Sequence, residues 1–391
     1  MMQSPMAERL DQIAPFHVME LVKMAHALEL QGRSIIPMGI GEPDFTAAPA
    51  VLAAATRAMS DGKMQYTSAM GLPALRAAIA AHYAQVFGLE VAPERIIVTA
   101  GASAALLLAC AALVDKGAKV LMADPSYPCN RHFVAAFDGE AQMIACGAEQ
   151  RFQLSAAVVR EHWHEDTRGV LLASPSNPTG TSISHDELGE IVAEVRERGG
   201  FTIVDEIYQG LSYDSAPFSA LSMGDDVIVI NSFSKYFNMT GWRLGWLVVP
   251  PALVPAIEKL AQNLFICPST IAQYAALGCF EPASIALYEE RRAEFKRRRD
   301  FLVPALREIG FGVPIVPDGA FYVYADCSGL SDDADQLTID ILNQTGVVLV
   351  PGLDFGPSTA RTHIRISYAT SMENLQEAMR RLKDFFGARQ Q

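Results

Sequence analysis

The chain is 391 residues long, half of them apolar and 19% charged, a balance typical of a globular protein with room for one large domain and a smaller partner. Its formal net charge of −13 lacks the basic footprint of a nucleic-acid binder, so no nucleic-acid partner is expected. The most apolar stretch, 104–114, is well short of the roughly 20 residues that cross a bilayer, so no membrane partner is expected.

Residues 1–35 read as a helix-rich arm, with Val18, Leu21, Val22, Met24 and Ala25 on one helical face. Residues 38–45 (Met-Gly-Ile-Gly-Glu-Pro-Asp-Phe) read as a closely packed loop. It lacks the third glycine and the following helix of a dinucleotide fingerprint. Helices are expected at 49–60 and 74–87, the second entered through Gly71, Leu72 and Pro73. A short β-branched strand at 95–99 ends in the small-residue turn 100–103 and passes into a helix at 104–114. Strand, small-residue turn and helix N-terminus together make a candidate anion site, because free N–H groups point outward there and the helix dipole favours negative charge.

Strands are then expected at 119–123, 169–173, 201–204, 227–231 and 244–249, with a helix at 184–198. Ser184 and Glu187 have the spacing of a capping box. Short apolar strands alternating with helices imply a mostly parallel sheet covered on both faces. In such sheets the loops leaving the strands' carboxyl ends line the site, and Ser103, Tyr127, Asn177, Asp205 and Lys235 all fall in or at those loops.

After Pro250 the character changes. Helix is expected at 252–264 and about 270–308, then short strands at 321–324, 347–350 and 363–367, and a last helix over roughly 371–386. This predicts an α/β protein with a smaller α+β domain. The expected division is an arm at 1–45 that forms part of the small domain, a large domain at 46–285, and the small domain proper at 286–391. The basic cluster of Arg291, Arg292 and residues 296–299 alternates with Glu289, Glu290 and Glu294 and reads as the solvated face of a long helix.

Six cysteines without a Cys-x-x-Cys pair read as free thiols in a reducing, cytoplasmic compartment. Residues 1–10 show no apolar signal-peptide core. The histidines at 162, 164 and 185 lack His-Glu-x-x-His spacing, and no Gly-x-Ser-x-Gly elbow is present, so neither a metal site nor a serine hydrolase is expected.

Lys235 follows the strand at 227–231, with serines at 232 and 234 before it and Arg243 eight positions on. Alone it reads either as a surface charge or as an amine that bonds an aldehyde cofactor. Six motifs in order bear on the choice: Gly-Glu-Pro-Asp-Phe at 41–45, Tyr66 and Thr67 with Gly-Leu-Pro at 71–73, Ser-Pro-Ser-Asn-Pro-Thr-Gly at 174–180, Asp-Glu-Ile-Tyr at 205–208, Ser-Phe-Ser-Lys at 232–235 and Gly-Trp-Arg-Leu-Gly at 241–245. Over about 15–385 the chain resembles the class I/II aminotransferases, the aspartate-aminotransferase-like, fold type I enzymes of pyridoxal phosphate. The resemblance implies a large domain with a mostly parallel seven-stranded sheet flanked by helices, plus the smaller α+β domain.

It also implies roles. Lys235 would form the Schiff base (the internal aldimine) with pyridoxal 5'-phosphate and carry the proton at the substrate α-carbon, its amine made less basic by burial and by Arg243. Asp205 would hold the protonated pyridine nitrogen. Tyr208 and Asn177 would hydrogen-bond the phenolic oxygen, and Tyr127 would stack on the ring. The phosphate cup would use the N–H groups of Ala102 and Ser103, the hydroxyls of Ser103, Ser232 and Ser234, and Arg243. Gly101 stands where some members have serine, which removes one hydroxyl contact. Arg365, with Asn177 and the Gly41 N–H, would take the substrate carboxylate. Tyr66 would reach the phosphate of a neighbouring subunit, so a homodimer is implied.

The activity implied is ping-pong transfer of an α-amino group from an amino acid to a 2-oxo acid. The alternatives are a β-elimination lyase or synthase on the same fold, and a non-catalytic regulatory protein, for whose helix-turn-helix the arm is too short. Arg131 and Arg33 lie near matched loops as candidates for a side-chain carboxylate. Tyr66, Tyr127, Phe265 and Tyr322 are candidates for an apolar side-chain pocket.

Overall fold

The computed structural model describes residues 6–389. The arm holds α1 (His17–Leu30) and leads into β1 (Ile36–Pro37). Helices α2 (Pro49–Ser60) and α3 (Pro73–Phe87) precede β2 (Ile96–Thr99). Next come α4 (Gly101–Leu113), β3 (Lys119–Asp124), α5 (Pro128–Ala135), β4 (Glu140–Ala145), α6 (Ala156–His162), β5 (Thr167–Ala173), α7 (His185–Glu197), β6 (Phe201–Asp205), β7 (Ile228–Ser232) and β8 (Gly245–Val248). The remainder contains α8 (Val254–Leu264), α9 (Thr270–Ala276), α10 (Pro282–Ile309), β9 (Tyr322–Asp326), α11 (Ala334–Thr345), β10 (Val347–Val348), β11 (Val350–Pro351), β12 (His363–Ser367) and α12 (Met372–Arg389).

Seven strands form the main sheet in the order β2-β8-β7-β6-β5-β3-β4. All run parallel except β8, which is antiparallel to both its neighbours. The central strands are largely apolar because both faces of the sheet are covered there. Adjacent residues feed opposite cores: Val98, Val204 and Val229 pack into one, Ile97, Ile203 and Ile228 into the other. Helix α4 is apolar nearly all round and mostly buried, as expected of a helix enclosed by protein.

A three-stranded antiparallel sheet, β11-β12-β9, and a parallel pair, β1 with β10, make up the smaller lobe. Strand β12 is the central one, so Arg365 is 2% exposed rather than on an edge. No helix among the described residues is long and apolar enough to cross a membrane.

Several elements differ from the sequence reading. Strand β4 and helices α5 and α6 had no counterpart in it. β4 is an edge strand with mixed polar composition, and such strands carry little periodic signal. Helix α4 begins at Gly101, not 104, so Ala102 and Ser103 lie in its first turn. The helical stretch at 270–308 is divided: α9 gives way to a short 3-10 turn at Leu277–Phe280, and α10 restarts at Pro282, a residue suited to a first helical turn.

Ser184 caps α7 by accepting from Glu187 N, but Glu187 turns its carboxylate to Ala156 N at 2.8 Å and so caps α6 instead of closing a box. The basic cluster of α10 is not all solvated. Arg298 and Arg299 are 4% exposed, Arg298 bonding Asp44 at 2.8 and 3.0 Å and Arg299 bonding Asp214 and the Pro317 carbonyl. Helix α10 thereby holds the 41–45 loop, whose Phe45 ring lies 5.1 Å from the Arg298 guanidinium.

Candidate active site

Strands β2, β3, β5, β6 and β7 all end on one side of the sheet. Their exits carry the first turn of α4, Tyr127, Asn177, Asp205 and Lys235. Because β8 runs the other way, its start is at that same edge, and Arg243 lies two residues before it. One reversed strand therefore brings a guanidinium to the ends of the parallel ones. The loop at 41–45 and β12 close the opposite side. Together they enclose a cavity of about 370 Å³ lined by Gly41, Ala102, Ser103, Tyr127, Asn177, Asp205, Tyr208, Ser232, Ser234, Lys235, Arg243 and Arg365. Tyr66 is not on the wall and is 81% exposed.

Lys235 Nζ donates to the Gly41 carbonyl at 2.5 Å. Burial lowers its amine to about 8, opposed by Glu42 and Asp205 and aided by Arg365 and Arg243. Burial, not the neighbouring arginines, is the leading cause, and Arg365 outranks Arg243 as the cation felt. Asp205 is pushed up to about 6 by burial, against the pull of the Ile207 N–H at 3.0 Å and of Lys235. No protein cation forms a salt bridge with it among the described residues. It is thus a buried carboxylate on a cavity wall suited to a cationic or N–H partner.

The other end of the cavity suits an anion. Helix α4 has no side-chain cap, which leaves its first-turn N–H groups without a side-chain partner, and Ala102 and Ser103 of that turn line the cavity with Arg243. Gly101 has φ +79°, and a Cβ there would meet Arg243 Nη2 at 2.5 Å. Glycine at this position answers a backbone and packing demand, a stronger reason than the missing hydroxyl inferred from sequence. Ser232 Oγ accepts from Ser234 N at 3.1 Å and lies 3.0 Å from Ser234 Oγ and 3.1 Å from the Leu244 carbonyl. Its hydroxyl therefore shapes the turn before Lys235 as well as lining the cavity.

The Arg365 guanidinium lies over the rings of Tyr322 (4.6 Å) and Phe355 (4.8 Å). It donates to Asn177 Oδ1 at 2.8 Å and to the Gly39 carbonyl at 2.6 Å, leaving the Asn177 amide nitrogen as a donor. Tyr208 and Tyr322 share a hydroxyl–hydroxyl hydrogen bond of 2.8 Å. A Cβ on Gly41 would overlap the Tyr322 hydroxyl, so any larger residue there would displace Tyr322 from its bond to Tyr208. Tyr127 meets Phe16 edge-on at 6.4 Å.

Sequence reasoning missed the contribution of the arm. Phe16, Val18, Met19 and Val22 line the cavity together with Ile40 and Leu106. The apolar periodicity of the arm was visible, but it does not say which face meets a core and which a cavity. Phe265 packs in the sheet core instead, and Arg131 and Arg33 are off the cavity wall. Among the described residues no group of three or more His, Cys, Asp or Glu is placed to hold a metal ion.

A cavity with a cation-seeking carboxylate at one end and an anion cup at the other, at the strand ends of a seven-stranded helix-flanked sheet, defines an α/β enzyme of the fold type I class. The chain matches the family described as Aminotransferase class I and II over residues 33–382. It is 39% identical over 372 residues to a valine–pyruvate aminotransferase of Mycobacterium tuberculosis, covering 95% of this chain and 96% of the relative. It is 35% identical over 371 residues to an aspartate/prephenate aminotransferase of Thermus thermophilus, covering 93% and 94%. Among solved structures, an aminotransferase from Mycobacterium tuberculosis superposes with a TM-score of 0.95 at 37% identity, covering 99% of this chain and 100% of that one. The aspartate aminotransferase of Thermus thermophilus with maleate gives 0.92 at 32% identity, covering 98% and 100%.

The chain belongs to the class I and II aminotransferases, and it is an aminotransferase. Enzymes of this family use pyridoxal phosphate, and the donor set described above fits that molecule: a carboxylate for its ring nitrogen, hydroxyl and amide donors for its ring oxygen, and a helix N-terminus with arginine for its phosphate.

Proposed function

We propose that this enzyme moves an α-amino group from an amino acid to a 2-oxo acid in two successive half-reactions at one site, a ping-pong course, with Lys235 as cofactor anchor and proton carrier. The observation that supports it most is Lys235 itself: a cavity-lining amine lowered to about 8, with Asp205 and Arg365 on the same wall. Such an amine is neutral part of the time near neutral pH, as a nucleophile and a base must be. Bound pyridoxal phosphate supplies an aldehyde to receive the amino group and a protonated ring that withdraws electrons from the substrate α-carbon.

In this reading Asp205 keeps the proton on the ring nitrogen. Tyr208 and the Asn177 amide donate to the ring oxygen, and Tyr127 covers one ring face. The phosphate is held by the Ala102 and Ser103 N–H groups, the Ser103, Ser232 and Ser234 hydroxyls, and Arg243. Arg365, Asn177 and the Gly41 N–H orient the substrate carboxylate, so that the α-carbon proton faces Lys235 Nζ. Lys235 Nζ would accept that proton and hold it for return within the cavity.

Tyr66, exposed and off the cavity of its own chain, is assigned to the phosphate of a second subunit, which makes the working unit a homodimer. The arm 1–45 is assigned to the same body as 286–391, apart from 46–285. The β1–β10 pairing and the Ser367 N to Met38 O hydrogen bond of 2.7 Å support that division. All six cysteines are unpaired, which favours a reducing, cytoplasmic setting.

The test is a single-turnover assay of the cofactor-loaded enzyme with an amino acid panel, followed by a 2-oxo acid, with products identified by mass spectrometry. Stoichiometric 2-oxo acid release and then amino acid formation are expected. Ammonia release without an acceptor would replace this reading by a β-elimination lyase. Lys235→Ala is expected to lose at least ~10²–10⁴-fold in the half-reaction, the size of a positioned acid–base group. Turnover at the parent rate would end the assignment.

A further inference from the structure

Lys235, Arg243 and Arg365 are the cationic side chains on the cavity wall among the described residues. The proposed function, on which this inference rests, already occupies all three, as anchor, phosphate ligand and carboxylate clamp. The wall toward the arm is different in kind. The arm contributes Phe16, Val18, Met19 and Val22 to the lining, and Ile40 and Leu106 are further apolar side chains on it.

We propose that this wall is the subsite for the substrate side chain, and that it selects amino donors with branched or long apolar side chains over aspartate and glutamate. Helix α1 divides its apolar residues between two surroundings. Leu21 and Ala25 pack against Leu342 and Val348 of the smaller lobe, whereas Met19 and Val22 reach the cavity. Met19 is 51% exposed and Ile40 is 40% exposed, so both present apolar surface that an apolar ligand would remove from water.

The wall is also held in register with the carboxylate clamp. Asp354 accepts from the His17 and Val18 N–H groups at 2.9 Å each, capping a helix whose own Phe16 provides no side-chain cap. The next residue, Phe355, stacks on Arg365 at 4.8 Å. The apolar wall and the guanidinium are thus fastened to one short segment, which fixes the offset between a substrate's carboxylate and its side chain.

Among the described residues of this chain, no further cation lies on the cavity wall to meet a second carboxylate. Arg131 donates through Nη2 to the Asp354 carbonyl, and Arg33 bonds the Asn343 carbonyl. Neither lies on the wall. A carboxylate pressed against valine, methionine and phenylalanine loses its hydration without gaining a partner, while each methylene that fits an apolar pocket is worth roughly 10–200-fold in discrimination.

The experiment measures kcat/KM of the holoenzyme for valine, leucine, methionine, phenylalanine, alanine, aspartate and glutamate, with pyruvate as acceptor (2-oxoglutarate when alanine is the donor). The best apolar donor is expected to exceed aspartate and glutamate by about 100-fold or more, and alanine by about 10-fold or more. Aspartate or glutamate within about 10-fold of the best apolar donor would overturn the inference. Met19→Arg, at an exposed position that tolerates replacement, is expected to shift the glutamate-to-leucine ratio upward by about 10-fold or more, and Val22→Ala to lower the leucine-to-alanine ratio by a similar factor. Ratios that stay put in both variants also overturn it. If no donor reacts at all, the aminotransferase roles assigned to Lys235 and Arg365 fail first. If donors react without apolar preference, only the subsite falls.

Discussion

Arg365 Nη1 donates to Asn177 Oδ1 at 2.8 Å, joining side chains 188 positions apart in the chain. The bond links a loop at the end of β5 to the central strand of the smaller lobe. It orients the guanidinium and sets which end of the amide faces the cavity. With the Tyr322 and Phe355 rings also packed against it, Arg365 has little freedom left, which suits a planar carboxylate clamp.

Arg365→Lys keeps the charge and loses the planar fork and the stacking. Substrate binding is expected to weaken by about 10–100-fold, the range for a lost charged hydrogen bond. Steady-state kinetics should show this chiefly as a raised KM. An unchanged KM would remove Arg365 from the carboxylate site.

Asp205 makes stability pH-dependent in the cofactor-free protein. Its folded pKa is raised from 3.8 to about 6, so the folded state holds the proton more tightly than the unfolded one. The contribution of this carboxyl is fully present below the unfolded value and is lost as pH rises through the folded one. Asp205→Asn does not titrate. Relative to the parent it should gain about 2–3 kcal/mol between about pH 4 and about pH 8, read by urea denaturation, while losing catalytic activity. A gap that does not change with pH would contradict the burial argument.

Gly101→Ala places a Cβ in a left-handed conformation and against Arg243 Nη2. The backbone strain alone is about 1–2 kcal/mol, and Arg243 must move as well. Cofactor affinity, measured by equilibrium dialysis, is expected to fall by about 10-fold or more. Affinity equal to the parent's would show that Arg243 does not hold the phosphate.

Asp44→Ala removes the bidentate partner of Arg298, which is 4% exposed and keeps only Glu294 as an ion-pair partner. Leaving a buried arginine partly unpaired is expected to cost about 1–3 kcal/mol, seen as a lowered Tm. Because Asp44 sits three residues after Gly41, whose carbonyl holds Lys235, activity should also fall. Parent-like Tm would mean that Glu294 alone satisfies Arg298.

Much of the main sheet was legible because buried parallel strands are short apolar runs ending in small-residue or proline-rich loops. Asn177, Asp205 and Lys235 lie at such ends, where a polar residue interrupts an apolar pattern. Strand β4 was not legible, since an edge strand with an exposed face has mixed composition. The buried state of Arg298 and Arg299 was hidden too: a helix shows its charges at regular spacing, but their partners Asp44 and Asp214 come from distant loops.

By itself the sequence indicated the fold class, through short apolar strands alternating with helices, and the family and its cofactor, through six motifs in order, because each motif is a local run of residues near the end of a strand or in a loop. Tertiary structure alone decided what surrounds those motifs. Arg365 reaches Asn177, Asp354 caps α1 so that its apolar residues form a cavity wall, and burial more than charge sets the basicity of Lys235. Such relationships depend on distances between segments hundreds of residues apart, and on how much water is excluded between them, neither of which is encoded in any local pattern.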